Sequence, residues 1–146
     1  MRWMLAVYAV VTMSGMSPGD KTTAPLTVQN TGTLQLRYAL TNTTTENGLA
    51  AQLQLTIRVG VTTCTNAGFS TDGSAVSGPT VLGSIAGTNI FGDPTQGAQS
   101  GDRTLNAGAN ETLCFQVSMP STIPNSYHSI TDTVTFTFQA EQTTNN

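Results

Sequence analysis

Two runs of strict apolar and polar alternation stand near the end of the chain. Leu113, Phe115, Val117 and Met119 interleave with Thr112, Cys114, Gln116 and Ser118. Val134, Phe136, Phe138 and Ala140 then interleave with Thr133, Thr135, Thr137 and Gln139. Successive side chains of a strand point to opposite faces, so each run predicts a strand with one oily and one hydroxylated face. Pro120–Ser129 is a turn-rich crossing between them, and the pair reads as a closing hairpin.

The same period recurs upstream. Ala24, Leu26 and Val28 share one face of a strand over Thr22–Gln29, and Leu34, Leu36, Tyr38 and Leu40 form the inner face of the next. Asn30-Thr31-Gly32-Thr33 is a tight connection in which Gly32 is free to take positive φ. Gln52–Val61 carries Leu53, Leu55, Ile57, Val59 and Val61 on one parity. Leu5–Val11 reads either as a strand, by its alternation, or as part of a short signal peptide, although no clear small-x-small cleavage motif follows. Residues 66–109 differ: they are rich in Gly, Ser, Thr and Ala, with apolar islands at Val81-Leu82, Ile85 and Ile90-Phe91. They read as a long irregular excursion with one or two short strands or a short helix. No segment has a helical period. The expectation is one domain over 1–146, all-β: a two-sheet antiparallel β-sandwich of jelly-roll or Greek-key type with seven or eight strands.

Composition narrows the function classes. Charged residues make up 9% of the chain, against roughly 25% in ordinary soluble domains. Threonine, the most frequent residue, supplies the polar surface and suits a pleated, half-exposed face. The net charge is −3 and the basic residues are scattered, with Arg37 and Arg58 single on polar strand faces. No patch suited to a phosphate backbone exists, so nucleic acid is not an expected partner. No apolar run is long enough for a transmembrane helix.

Cys64 and Cys114 form no C-x-x-C and no zinc-type framework. Cys114 falls opposite the apolar parity of its strand, and so does Cys64 if the strand over Gln52–Val61 continues so far; two buried thiols are the alternative, but for an exported chain this parity predicts a disulfide on the outer surface or at a sheet end. Closing a loop of about 50 residues contributes up to ~4 kcal/mol in the chain-entropy model.

These residues resemble a known family. Pro18-Gly19-Asp20, Leu26–Val28 and Asn30-Thr31-Gly32-Thr33-Leu34 resemble the opening of secreted prokaryotic β-sandwich domains. Phe115-Gln116-Val117 through Pro120, then Asn125-Ser126-Tyr127, then Phe136-Thr137-Phe138-Gln139-Ala140-Glu141-Gln142 resemble the end of the TasA/camelysin (CalY) family. The likeness runs from about Pro18 to Asn146. It implies a jelly-roll exported to the cell surface or biofilm matrix of a prokaryote, associated with the cell envelope, and self-assembling into fibres by strand addition through edge strands. Pro18, Gly19, Asp20, Asn30, Gly32, Pro120, Asn125, Tyr127, Phe136, Phe138, Ala140 and Gln142 are its structural motif positions. Two departures stand out. The residues before Pro18 resemble the strand next to the family's Pro-Gly-Asp turn, so its signal peptide and a strand containing something like G-T-x-D-L read as missing upstream, which favours the strand reading of Leu5–Val11. Tyr127-His128-Ser129 stands where the family tends to have Tyr-Gln-Gly. If a strand is missing, the sheet beside Leu5–Val11 or the final strand, Thr131–Ala140, should have an open edge.

The resemblance also carries a metallopeptidase label, camelysin. The residues offer little for it: one histidine, His128, and no H-E-x-x-H. His128 reads as a solvent-exposed turn residue, and a Ser-His-Asp triad has no G-x-S-x-G elbow to support it. Asp72, Asp93, Asp102, Glu111 and Asp132 read as turn-capping acids, without the clustering calcium needs. Aromatics for a sugar platform are few; Tyr38 belongs to the core and Tyr127 to the crossing, its hydroxyl on backbone. Asn42-Thr43-Thr44 and Asn110-Glu111-Thr112 fit glycosylation sequons, which arise by chance in such a chain. No catalytic, metal or cofactor residue is expected. The expected function is structural, a fibre subunit. The alternatives are a camelysin-like surface metalloendopeptidase and an adhesin or carbohydrate-binding module.

Overall fold

The computed structural model describes residues 5–144. Among them the chain forms nine strands: β1 Leu5–Met13, β2 Lys21–Gln29, β3 Leu36–Thr44, β4 Gln54–Val59, β5 Ser74–Val81, β6 Thr88–Phe91, β7 Arg103–Leu105, β8 Asn110–Ser118 and β9 Asp132–Gln142. One sheet has the order β1-β9-β3-β6, with β7 also on β3; the other has the order β2-β8-β4-β5. Every pairing is antiparallel. Consecutive strands mostly change sheet, which is the jelly-roll connectivity, and the fold class is the one the alternation predicts.

Alternation becomes layering. On β9 Val134, Phe136 and Phe138 are buried while Thr133, Thr135 and Thr137 on the opposite face are half-buried. Leu53, Leu55 and Ile57 leading into and along β4, with Leu113 and Val117 of β8, face them across the core. The rings of Phe115 and Phe136 meet edge to face at 5.1 Å between centroids. Tyr38 packs on Phe91 and Phe138. Burying such aromatic and branched side chains contributes about 1.5–3 kcal/mol each and is the main force holding the sheets together.

Several expectations change. The two terminal strands are not a hairpin: β8 and β9 lie in different sheets and touch through side chains. Strand alternation alone cannot tell a neighbour in the sheet from a partner across the core. The final strand has no open edge, since β9 lies between β1 and β3. Leu5–Met13 is a strand, in register with β9 from Leu5↔Ala140 to Met13↔Asp132. The Asn30–Thr33 connection crosses between sheets, and Gly32 does not take the left-handed conformation. The buried Asn30 side chain makes that turn instead, accepting the Gly32 N–H at 3.0 Å and donating to the Leu34 and Leu105 carbonyls. Leu34 precedes β3 and is 40% exposed. The 66–109 excursion holds three strands, β5, β6 and β7, whose short pairings carry too few apolar residues to show in the pattern.

Candidate functional site

The Pro18-Gly19-Asp20 turn carries the chain from β1 to β2. Gly19 takes φ +94, open to glycine at no steric cost. Its N–H donates to the Met119 carbonyl at 2.7 Å, and the Met119 N–H donates to the Asp20 carbonyl at 2.8 Å. Asp20 Oδ2 accepts the Ser17 N–H at 2.8 Å. The turn is therefore stitched to the end of β8 just before Pro120. A 3-10 turn, Asn125–Ser129, packs beside it; Tyr127 is half-buried against the core, and His128 is exposed with Nδ1 3.1 Å from Ser17 Oγ and 3.3 Å from the Met16 carbonyl. The structure thus gathers Pro18, Gly19, Asp20, Pro120, Asn125 and Tyr127 at one end of the sandwich. Asn30, Gly32 and Gln142 lie at the other end, and Phe136, Phe138 and Ala140 point inward along β9 between them.

Ser17, His128 and Asp20 do not assemble a triad. The Asp20 carboxylate accepts a backbone N–H and not the imidazole, which is the arrangement of a capped turn. Among the described residues no group of three or more His, Cys, Asp or Glu gathers as a metal set. Among those residues no helix is long and apolar enough to cross a membrane.

The acids divide in two. Asp72 caps Thr62 and Asp93 caps Thr95, and these bonds hold both carboxyls below the usual range. Asp102 accepts the Asp93 and Gln99 N–H groups. Glu111 and Asp132 are corrections: both lie in strands and share the parity of the core-facing residues. Glu111 accepts from the Tyr38 hydroxyl and, at 2.8 and 2.9 Å, from two nitrogens of Arg103. The guanidinium holds Glu111 low, whereas burial and the neighbouring carboxylate push the Tyr38 phenol up. Arg37 and Arg58 are not free surface cations either. Arg37 pairs with Glu141 at 2.7 Å, and Arg58 donates to the Asp72 and Gly73 carbonyls with its guanidinium over Phe69.

Cys64 and Cys114 are bridged. Cys114 lies on the outer face of β8, yet it is only 1% exposed because residues 62–73 fold over that face. This strap is seated by buried Phe69 and by Asn66, which accepts from Thr23 at 2.6 Å and donates to the Lys21 carbonyl at 3.0 Å. The bridge is thus outside the sandwich core, as parity requires, but covered.

The most distinctive surface was not legible in the pattern. β1 and β2 are the edge strands on the same side of the two sheets, and the sheets stand apart between them. A groove of about 120 Å³ opens there, walled by Ala9 and Val11 of β1 and by residues 22–26 of β2, and floored by Phe115, Val117 and Phe136. Val11 and Ala24 have core-facing parity, yet Val11 is 38% exposed and Ala24 is exposed. They are core positions without a cover.

The four sheet edges are not alike. β2 carries Pro25, which offers no N–H, and Lys21; β5 carries Pro79; β6 and β7 span only four and three residues. β1 is nine residues, LAVYAVVTM, with no proline, glycine or charge, and among the described residues only β9 pairs with it.

This architecture belongs to the jelly-roll β-sandwiches. No protein-family model and no curated protein matches the chain. Among solved structures it is similar to the infectious bursal disease virus VP2 subviral particle, with 8% identity and a TM-score of 0.46 over 99% of this chain and 34% of that one. It is also similar to Aeromonas hydrophila PliG, a periplasmic lysozyme inhibitor of g-type lysozyme, with 8% identity and a TM-score of 0.34 over 92% of this chain and 85% of that one. The chain spans about a third of the length of the VP2 chain it matches.

Proposed function

We propose that this chain is a non-catalytic structural subunit of prokaryotic cell-surface or biofilm-matrix fibres, of the TasA/camelysin type, joined by strand addition between subunits. The observation that carries this reading is the undefended β1 edge beside the uncovered groove. A strand laid along β1 would satisfy its free N–H and C=O groups, and its alternate side chains would cover Val11 and the phenylalanine floor. Main-chain bonds supply affinity in such a union and the groove supplies selectivity. The disulfide fits an extracellular or periplasmic compartment, where thiols oxidise. A low-charge, threonine-rich surface suits close lateral packing of subunits. No observation favours the metalloendopeptidase or sugar-binding readings over this one.

Electron microscopy and light scattering of the exported protein test it. The native chain should form filaments as concentration rises. Val11→Lys, which puts a charge on the edge and in the groove, should remain a folded monomer. A native chain that stays monomeric at millimolar concentration overturns the proposal.

A further inference from the structure

Two carboxyl groups occupy core-facing positions at opposite ends of the sandwich, and they are treated differently. Glu111 opens β8 and has a guanidinium on both oxygens. Asp132 opens β9, in register with Met13 at the end of β1, and is 0% exposed. Its Oδ1 accepts the Thr45 N–H at 3.2 Å and the Thr45 hydroxyl at 3.3 Å. Its Oδ2 has no hydrogen-bond partner among the described residues. The charged group that bears on it is Glu46, of the same sign, whose own carboxylate is folded onto the Leu49 and Ala50 N–H groups. β1 brings only Met13, and His128 of the adjoining turn is engaged with Ser17 and Met16.

We propose that Asp132 is a proton-operated latch at the end of the sheet where β1, β9 and the 45–50 loop meet. Neutral, it lets these three pack; ionised, it loosens them. An ionised carboxyl with one oxygen unpaired, out of water, costs far more to bury than a neutral one. Burial first, and the Glu46 charge second, push the Asp132 carboxyl above the usual range, against the bonds from the Thr45 N–H and hydroxyl. The sign follows by linkage. The folded end binds the proton more tightly than the unfolded chain. Closure is therefore complete below the ordinary carboxylate range and weakens as pH rises through the raised value. Loosening frees the end of β1 and uncovers Met13 and Met16, both buried when the latch is closed. The device stands whether or not subunits assemble; if they join along β1, it makes that union depend on pH.

Hydrogen–deuterium exchange of the full chain from roughly pH 4 to pH 8 tests it, with rates corrected for intrinsic exchange. Protection of segments 9–16 and 45–50 should fall as pH rises, with the opening constant growing about tenfold per pH unit between the unfolded and folded pKa values. Protection of 110–118 should not follow. Asp132→Asn should flatten the response. Glu46→Gln removes the like charge and lowers the folded value, so the rise in opening should level off at lower pH and be smaller in total, and this variant decides the matter if Asp132→Asn fails to fold. Protection of 9–16 and 45–50 that is constant across the range, or a trend that survives in Asp132→Asn or stays unmoved in Glu46→Gln, overturns the proposal.

Discussion

Glu111 is the residue where burial and charge are best balanced. It lies at a core-facing position yet keeps its charge, because Arg103 grips both oxygens and Tyr38 donates from the opposite sheet. Glu111→Gln should destabilise the fold by about 1–3 kcal/mol at neutral pH, since it leaves a half-buried guanidinium short of its partner. The folded pKa of Glu111 is depressed, so its contribution is present above the unfolded carboxylate value and is lost as pH falls through the folded one. Urea unfolding should therefore separate the two proteins at neutral pH and bring them together in acid. Asp132 has the reverse slope because it is buried with no cation beside it among the described residues. Neither behaviour was legible beforehand: both acids read as turn caps in the sequence. Their parity was visible, but which strand ends stay wet depends on what stands opposite.

At the scale of elements, the strap over residues 62–73 shows how a disulfide acts through more than loop closure. Cys64 lies beyond the end of β4, in no strand, so its parity was extrapolated, while Cys114 truly faces outward. The bridge, Phe69 and Asn66 together press the strap onto β8 and β2. An added Cβ at Gly68 would collide with the Thr63 carbonyl, so the strap also needs a glycine there. Replacing both cysteines by serine should lower stability by up to about 4 kcal/mol. Limited proteolysis should then cut first within 62–73, and the Thr23–Asn66 contact beside the groove should be lost. Cleavage beginning elsewhere would show that the strap is held without the bridge.

At the scale of the whole molecule, the described residues form defended edges and one undefended edge, β1. That asymmetry makes assembly directional if strands are added there, and it sets a second readout. Anything that binds the folded subunit and not the unfolded chain raises its apparent stability by mass action. The native protein's Tm should therefore climb with concentration, by a few degrees over two decades on the order of the linkage effect, while that of Val11→Lys should not move. A Tm independent of concentration for both would argue that β1 stays closed to other chains. The groove itself could not be read from the sequence, because Val11 and Ala24 carry ordinary core parity.

The alternation of β2, β3, β4, β8 and β9 determined from sequence alone that the chain is an all-β sandwich with the phenylalanines of its last strand inside. Side-chain period is a local property of the extended backbone, and burial of one face follows wherever the strand ends up. Parity likewise kept the disulfide out of the core. Only the tertiary structure decided which strands pair, that β8 and β9 face each other and do not form a hairpin, that β1 closes one sheet as an edge, and that Asp132 is sealed at its end with no cation beside it among the described residues. Those outcomes depend on contacts between separate segments, more than a hundred residues apart for β1 with β9, and no local pattern encodes which partner covers a given face.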